Sequence, residues 1–205
     1  MITRENTLDD FIVNEVKHYL NKFKLNKDDI VLDLGGNIGA FANLVSPIVK
    51  TVLTYEPEKE NFDMLLENNK DNKNVIGFNV AVVGNEDKER IFYVNQKKNK
   101  GIHGFLAKKG RLEQKVICDN INNILNKFNI NKVKMDIEGS EYELLKVMDF
   151  KNIDEMIIEY HFIYLKDQDK KKYNEIISIL KKSFSFIDYK EDTKKAWTTI
   201  IHVRK

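Results

Sequence analysis

The sequence predicts an α/β protein with a doubly wound, mostly parallel β-sheet that ends in a C-terminal antiparallel hairpin. Short apolar runs alternate with amphipathic helical segments, as in βαβ units whose helices cover both faces of a sheet. A glycine-rich loop follows the first apolar run and opens a helix. A helix followed by two adjacent strands closes the chain, and this order favours the terminal hairpin. Ligands of such sheets lie beyond the carboxyl ends of the strands.

The composition describes a globular chain without a strong overall charge. Its 205 residues are few for two independent domains, so we expect one domain. Hydrophobic residues account for 42% and charged residues for 32%, which excludes a disordered or membrane-embedded chain. The formal net charge of +2 creates no overall field that would favour a nucleic acid or a membrane as partner.

Targeting signals are not apparent in this sequence. Residues 1–10 have no apolar core of the kind that a secretory signal needs. No run approaches the roughly 18 apolar residues of a membrane span. Cys118 is the only cysteine, which excludes an internal disulfide and a cysteine-based zinc cluster. We therefore expect a cytoplasmic protein without a membrane partner.

The predicted elements follow from hydrophobic periodicity. A helical segment over 1–27 precedes a core over 28–161, and residues 162–205 supply the last helix and the hairpin. We predict helices over 8–23, 40–49, 59–68, 121–128, 141–148 and 169–182. We predict strands over 30–34, 51–55, 75–83, 90–94, 132–137, 155–160, 184–189 and 196–203.

The loop after the first strand contains Gly35, Gly36, Asn37 and Gly39. Its glycines allow a ligand to lie against bare backbone. The dinucleotide fingerprint is Gly-x-Gly-x-x-Gly or Ala, whereas here Asn37 occupies the position that meets the pyrophosphate. This difference disfavours a nicotinamide cofactor and favours S-adenosylmethionine, which has no phosphate. The alternative is that the glycines form only a tight turn.

Two acidic residues support a nucleoside cofactor. Asp33 ends the first strand, where it can order the loop and attract the cationic end of the methionine moiety. Glu56 ends the second strand about 20 residues further on, where an acid can accept hydrogen bonds from both ribose hydroxyls. A cofactor site beside these two strand ends is therefore expected.

Several motifs resemble the FkbM family of methyltransferases. They are the glycine loop over 31–41, Tyr55-Glu56-Pro57, the segment over 79–84, the segment Lys134-Met135-Asp136-Ile137-Glu138-Gly139-Ser140-Glu141, and the strand over 157–161. The resemblance covers 28–161. It implies a Rossmann-like fold of the class I methyltransferase type, S-adenosylmethionine as donor and usually a hydroxyl acceptor, often on a sugar or secondary metabolite. Pro57, Ala81 and Val82 join the expected cofactor site through these motifs.

Four polar residues follow two neighbouring strands and are the candidate catalytic residues: Asp136, Glu138, Glu159 and His161. Methyl transfer to a hydroxyl requires the acceptor oxygen about 3 Å from the methyl carbon, and the hydroxyl must lose its proton. His161 has the pKa of a general base, and Asp136 is expected to serve as base or to orient the acceptor. A second hypothesis is that Asp136, Glu138 and His161 bind Mg²⁺ or Mn²⁺. The alternative roles are structural: a buried histidine and a loop-ordering acid.

Two local features are predicted to cap helices. Ser140 and Glu143 match the Ser-x-x-Glu capping box, and Asp119 precedes the helix that begins at Ile121. Cys118 and Asp119 are expected to follow a strand, with Cys118 as a small packing residue.

The segment over 95–115 is rich in lysine and has His103 near its centre. It is either a solvated loop or a mobile flap that favours anionic acceptors. Few aromatic residues accompany the lysines, so RNA ranks below a small molecule or glycan as acceptor. The sequence thus favours an O-methyltransferase. The alternatives are an RNA-directed methyltransferase and a non-catalytic nucleoside-binding module.

Overall fold

The computed structural model describes residues 1–96, 103–107, 109–162, 167–190 and 197–205. Its helices are α1 Asp9–Leu20, α2 Ala40–Val45, α3 Lys59–Asn68, α4 Ile121–Lys127, α5 Glu141–Val147 and α6 Asp167–Ser183. Its strands are β1 Ile30–Leu34, β2 Thr51–Tyr55, β3 Val75–Phe78, β4 Ala81–Val83, β5 Glu89–Val94, β6 Leu112–Asn120, β7 Lys132–Met135, β8 Glu155–His161, β9 Phe186–Asp188 and β10 Thr198–Arg204. Within these described ranges, no helix combines the length and the apolar character needed to cross a bilayer.

The main sheet has seven strands in the order β3-β2-β1-β7-β8-β10-β9. The first five are parallel, while β10 runs antiparallel to both β8 and β9. These pairings confirm the predicted mostly parallel sheet with antiparallel C-terminal strands. The strand order reverses between β1 and β7, and the crevice at such a reversal is where ligands of open α/β sheets bind.

Apolar helix faces cover both sides of the main sheet. On one side, Val16 of α1 and Phe41 of α2 pack in a buried cluster with residues of β1 and β2. On the other side, Ile121 of α4, Leu144 of α5 and Tyr173 of α6 belong to a second buried cluster. The doubly wound arrangement is therefore confirmed, because parallel strands buried on both faces need a helical layer on each.

A second, three-stranded sheet has the order β4-β6-β5. The predicted single strand over 75–83 is wrong, since it divides into β3 of the main sheet and β4 of this one. Asn79 lies between them and donates hydrogen bonds to the backbone oxygens of Glu56 and Pro57, at 2.9 and 3.1 Å. Cys118 and Asp119 lie within β6 and not after a strand.

Neither predicted helix cap forms. The side chain of Asn120, and not of Asp119, accepts the backbone N–H of Asn122 at the start of α4. Ser140 precedes α5 but makes no side-chain capping bond. Glu143 is instead engaged by Arg90, whose Nη2 lies 2.7 Å from Glu143 Oε1. An ion pair between α5 and β5 thus replaces the predicted capping box.

A buried ionic group joins β7, β8 and β10 at the amino ends of the parallel strands. Glu155 is fully buried; Lys132 Nζ lies 2.8 Å and His202 Nε2 2.7 Å from its carboxylate oxygens. Burial raises the pKa of Glu155, but the hydrogen bonds from His202 and Lys132 outweigh it and lower the pKa below its ordinary value. This group lies at the end of the sheet opposite the crevice.

Candidate functional site

A cavity of about 180 Å³, here called the main cavity, lies at the reversal of strand order. Its walls come from α1, from the loops after β1 and β7, from the end of β2 and from the three-stranded sheet. Leu8, Phe11 and Ile12 supply the α1 wall. The N-terminal helix therefore belongs to the site, together with the strand ends that the sequence indicated.

The glycine loop brings bare backbone to the main cavity at Gly35. This residue has φ of +80°, and a Cβ there would lie 1.8 Å from the backbone oxygen of Asp136. The loops after β1 and β7 can therefore approach each other only with glycine at this position. Asn37 also lines the cavity and has φ of 49°.

The other two predicted glycines do not line the main cavity. A Cβ on Gly36 would lie 2.2 Å from Thr54 Oγ1, and one on Gly39 would lie 2.3 Å from Asn69 Nδ2. Their small size allows the loop to pack against β2 and α3. Gly36 and Gly39 therefore contribute to the site by allowing the loop to pack closely on the side away from the main cavity.

Asp33 lies beneath the loop and does not line the main cavity. Its carboxylate is fully buried, accepts a 2.9 Å hydrogen bond from Thr54 Oγ1 and lies 3.3 Å from Lys134 Nζ. Lys134 Nζ in turn donates to the backbone oxygen of Gly35 at 2.8 Å. Lys134 therefore pairs with the charge of Asp33. These contacts agree with the loop-ordering role expected for Asp33, while its expected attraction of the methionine moiety stays a prediction.

Glu56 lines the main cavity and is 5% exposed. Its Oε2 accepts the backbone N–H of Asn37 and its Oε1 that of Glu58, each at 2.8 Å. Burial raises the pKa of Glu56 to about 7, and these two hydrogen bonds oppose that rise. Each oxygen keeps a lone pair, so the carboxylate can accept two further hydrogen bonds.

An apolar wall adjoins Glu56. Pro57, Ala81 and Val82 line the main cavity there, and Phe92 and Phe105 add aromatic surface. The two phenyl rings meet edge to face with centroids 5.4 Å apart. An acceptor of two hydrogen bonds beside an apolar wall is suited to a nucleoside, in which a ribose adjoins a flat base.

The polar side of the site gathers residues from the ends of β7 and β8. Asp136, Glu138 and Glu159 line the main cavity. His161 Nε2 lies 3.6 Å from Glu138 Oε2 and 4.0 Å from Asp136 Oδ1. Its Nδ1 lies 2.9 Å from Glu141 Oε1, a contact that fixes the imidazole ring.

The electrostatics of this group keep His161 positively charged. Burial alone would lower the pKa of His161, but the carboxylates of Glu141, Glu138 and Asp136 outweigh it and raise the pKa to about 10. The pKa of Glu138 is also raised, mainly because the group is buried. An imidazolium that holds its proton at neutral pH cannot accept another, which disfavours His161 as the general base.

Three of these residues have the arrangement of a cation site. One ligand atom each from Asp136, Glu138 and His161 lies within 4.8 Å of the others. If a cation displaces the proton of His161, two carboxylate oxygens and an imidazole nitrogen are suitable ligands for Mg²⁺ or Mn²⁺. The contact between Glu141 and His161 Nδ1 resembles the outer-shell bonds that orient metal-bound histidines.

No residue of α1 was identified from the sequence as part of the site. Tyr19 is 5% exposed, and its hydroxyl lies 2.5 Å from Glu159 Oε2 and 3.5 Å from Asp136 Oδ2. Glu15, one helical turn earlier, lines the main cavity, and its pKa is raised by burial and by the charges of Glu159 and Asp136. The signal available in the sequence was Glu15, which lies one helical turn before Tyr19 of the apolar helix face.

A second groove, of about 320 Å³, adjoins the main cavity. His103, Glu138 and Glu159 border both spaces, and Arg111 and Trp197 line only the groove. His103 is buried, and its Nδ1 accepts the backbone N–H of Asn95. Of the lysine-rich segment over 95–115, residues 97–102 and 108 lie outside the described residues.

Comparisons with known proteins agree with this fold. A family profile described as the methyltransferase FkbM domain matches residues 33–187. No curated protein matches the chain in sequence.

Three solved structures are among those similar to it. Precorrin-6y C5,15-methyltransferase from Geobacter metallireducens GS-15 has 11% identity and a TM-score of 0.54, over 100% of this chain and 94% of that chain. Precorrin 8W decarboxylase from Methanobacterium thermoautotrophicum has 11% identity and a TM-score of 0.54, over 94% and 90%. Aeropyrum pernix fibrillarin, solved with natively bound S-adenosyl-L-methionine, has 12% identity and a TM-score of 0.50, over 92% and 74%. The shared fold is the Rossmann-like fold of class I methyltransferases.

Proposed function

Because this chain belongs to the FkbM methyltransferase family, we propose that it transfers the methyl group of S-adenosylmethionine to a hydroxyl of a small molecule, sugar or glycan. The observation that carries this proposal is the position of Glu56, which lines a cavity at the reversal of strand order and whose two carboxylate oxygens are held by the backbone N–H groups of Asn37 and Glu58. The apolar wall beside Glu56 gives the proposed nucleoside a surface for its base.

The proposed cofactor position uses both sides of the main cavity. Glu56 would accept hydrogen bonds from the ribose hydroxyls, and Pro57, Ala81 and Val82 would pack against the adenine. The backbone of Gly35 and the carboxylates that follow β7 and β8 would hold the methionine end. These carboxylates favour its cationic sulfonium and ammonium groups.

In the proposed reaction, the acceptor oxygen forms a bond to the methyl carbon while the carbon–sulfur bond breaks. S-adenosylhomocysteine leaves, and the hydroxyl proton passes to a carboxylate. We assign Asp136 as the acceptor of that proton because it lines the main cavity and its Oδ1 lies 4.0 Å from His161 Nε2. His161, held by Glu141, then supplies positive charge beside the developing alkoxide, and Glu138 and Glu159 hydrogen-bond the acceptor.

A second candidate role for Asp136, Glu138 and His161 is to hold a divalent cation. The convergence of their three ligand atoms favours it. Such an ion would lower the pKa of the acceptor hydroxyl. The test is thermal unfolding with Mn²⁺ in the wild type and in Glu138→Gln. A rise in Tm that the variant loses supports the ion, and equal curves for both proteins with and without Mn²⁺ contradict it.

Turnover tests the proposed function directly. The protein is incubated with S-adenosylmethionine and a panel of hydroxylated acceptors, and S-adenosylhomocysteine is quantified by mass spectrometry. We expect acceptor-dependent product that falls by roughly 100-fold or more in Asp136→Asn, the range of general-base contributions. Asp63→Asn, which changes an exposed carboxylate on α3, should retain wild-type turnover. Unchanged turnover in Asp136→Asn would remove this residue from the reaction.

A further inference from the structure

The second groove is continuous with the place where the proposed chemistry occurs. Glu138 and Glu159 border both the groove and the main cavity. A molecule in the groove would therefore present its nearest atoms to the same carboxylates that face the cofactor space. The groove volume of about 320 Å³ lies at the lower end of small-molecule pockets, which span about 300 to 1,000 Å³.

The polar groups of the groove require a ligand with several hydroxyls. Glu138 and Glu159 offer hydrogen-bond acceptors, while Arg111 and His161 offer donors, and these groups come from separate parts of the chain. Glu159 already accepts a hydrogen bond from Tyr19 and His161 already contacts Glu141, but both keep further hydrogen-bonding capacity, and a ligand with a single hydroxyl would cover most of that capacity without using it. A ring with hydroxyls on several carbons can reach most of these groups at once.

Trp197 supplies the apolar surface of the groove. It is 69% exposed, the largest exposure among the big apolar side chains of the described residues. Its position is set by the backbone, because its carbonyl oxygen accepts the N–H of Phe162 at 2.8 Å, immediately before β10 begins. An indole held at the edge of a polar groove can cover the carbon face of a ring while the hydroxyls at the rim of that ring reach the carboxylates.

The charges of the residues that line the two spaces indicate whether the acceptor is neutral or anionic. The main cavity is lined by carboxylates and, among the residues that the structure describes, by no lysine or arginine. Its acidic residues are Glu15, Glu56, Asp136, Glu138 and Glu159. In the second groove, the described lining carries the guanidinium of Arg111 and the imidazolium of His161 beside the carboxylates of Glu138 and Glu159. An anionic ligand that reaches the edge shared with the main cavity would meet these carboxylates and the further ones of that cavity, and an RNA would find two cations for its phosphates in the described lining.

We propose that the second groove is the acceptor subsite, that it takes an uncharged ring bearing several hydroxyls, and that Trp197 determines this specificity by packing against the ring face. The inference rests on the proposed methyl transfer, since it assigns the acceptor of that reaction. It differs from the alternative of an anionic acceptor that the lysine-rich segment offered.

The single tryptophan of the chain makes the subsite directly observable. Protein saturated with S-adenosylhomocysteine is titrated with neutral methyl hexosides, with the matching hexuronates and with a short oligoribonucleotide, while Trp197 emission is recorded. We expect a blue shift with at least one neutral glycoside and an affinity lower by roughly tenfold or more for its hexuronate, as for an uncompensated charge.

Kinetics with the best neutral acceptor give a second readout. Trp197→Ala should raise KM for the acceptor by roughly tenfold with little change in kcat, and Trp197→Phe should restore part of the loss. Ile117→Ala, an exposed apolar change on β6 away from both cavities, is the matched control and should behave as wild type.

The results of these experiments distinguish a failure of the groove assignment from a failure of the proposed methyl transfer. Equal or tighter binding of the hexuronate or the oligoribonucleotide would overturn the assignment of the groove. So would an unchanged Trp197 emission with every glycoside while S-adenosylhomocysteine still binds. A folded protein that binds neither S-adenosylmethionine nor S-adenosylhomocysteine would overturn the proposed function, and the subsite with it.

Discussion

The hydroxyl of Tyr19 donates a 2.5 Å hydrogen bond to Glu159 Oε2, joining the N-terminal helix to the end of β8 across 140 residues of sequence. Tyr19 is buried, and burial together with the charges of Asp136 and Glu159 raises its pKa well above the ordinary range. The phenol therefore keeps its proton and remains a donor at neutral pH. Through this bond, α1 is fixed as a wall of the main cavity.

Removing this hydroxyl should destabilise the protein measurably. Tyr19→Phe keeps the ring but leaves Glu159 without its donor, so we expect the free energy of unfolding to fall by about 1.5–3 kcal/mol, as for hydrogen bonds to charged groups. Urea denaturation measures it. Tyr142→Phe removes an exposed hydroxyl that donates to Glu175 and should cost less than about 0.5 kcal/mol. Equal losses in the two variants would contradict a special role for Tyr19.

The close approach at Gly35 should tolerate no side chain. Gly35→Ala places a Cβ 1.8 Å from the backbone oxygen of Asp136, so the loops after β1 and β7 must separate. Gly110 has a similar φ, +82°, with nothing within 4 Å of an added Cβ, so Gly110→Ala isolates the backbone cost of about 1–2 kcal/mol. We expect a larger loss of stability in Gly35→Ala, together with loss of cofactor binding, by urea denaturation and calorimetry. Matching losses in both variants would mean that the loops do not need this contact.

The raised pKa of Glu56 predicts a pH-dependent affinity for nucleosides. Ribose hydroxyls donate to the ionised carboxylate, so binding favours loss of the Glu56 proton. Below pH 7 the free protein holds that proton, and affinity should therefore rise with pH, by at most about tenfold per unit, and level off above about 7. Adenosine binding by calorimetry between pH 5.5 and 8 tests this in the wild type and in Glu56→Gln, where the rise should vanish. A rise of the same size in the variant would assign it to another group.

The buried ionic group at the amino ends of the strands should contribute to stability and leave the site unaffected. Lys132→Met leaves Glu155 buried without its lysine partner, and we expect the free energy of unfolding to fall by about 3–5 kcal/mol. Lys59→Met breaks an exposed ion pair with Asp63 and should cost less than about 1 kcal/mol. Thermal and urea unfolding of both variants measure the difference. A small loss in Lys132→Met would show that Glu155 is satisfied without it.

The same group predicts acid sensitivity. The pKa of Glu155 is lower in the folded than in the unfolded protein, so its contribution is present above the unfolded pKa and is lost as the pH falls through the folded value. Unfolding free energies should therefore decline below about pH 4. Glu155→Gln should show a shallower decline, which urea denaturation at several acidic pH values measures. An unchanged slope would indicate that other carboxylates dominate acid unfolding.

Local sequence patterns correctly predicted the elements whose burial follows one regular pattern along their whole length. The strands β1 and β2 and the helix α3 have the predicted bounds, because continuous apolar runs are typical of buried parallel strands and an amphipathic period is typical of a surface helix. For β6, a strand before Cys118 was expected, but its bounds were not predicted, because charged residues interrupt its exposed face, where Lys115 pairs with Glu89. Half-buried antiparallel strands with polar faces give a weak signal.

Long-range contacts explain what the sequence left undetermined in the site. The motif after β7 indicated Asp136, but nothing local indicates that Tyr19 would reach it from α1. Glu143 of α5 matched a capping pattern, yet Arg90 of β5 offers it a charged partner. The contacts of Tyr19 and Glu143 depend on partners that are distant in the sequence and become neighbours only in the folded chain.

Calorimetric titration of S-adenosylmethionine into the wild type and into Glu56→Gln tests the central claim most directly. Glu67→Ala, which changes an exposed carboxylate on α3, is the matched control. We predict micromolar binding by the wild type and the control, and a loss of roughly tenfold or more in Glu56→Gln, as expected when charged hydrogen bonds are weakened. A folded wild type that does not bind S-adenosylmethionine, or a Glu56→Gln variant that binds it as tightly, would contradict the account.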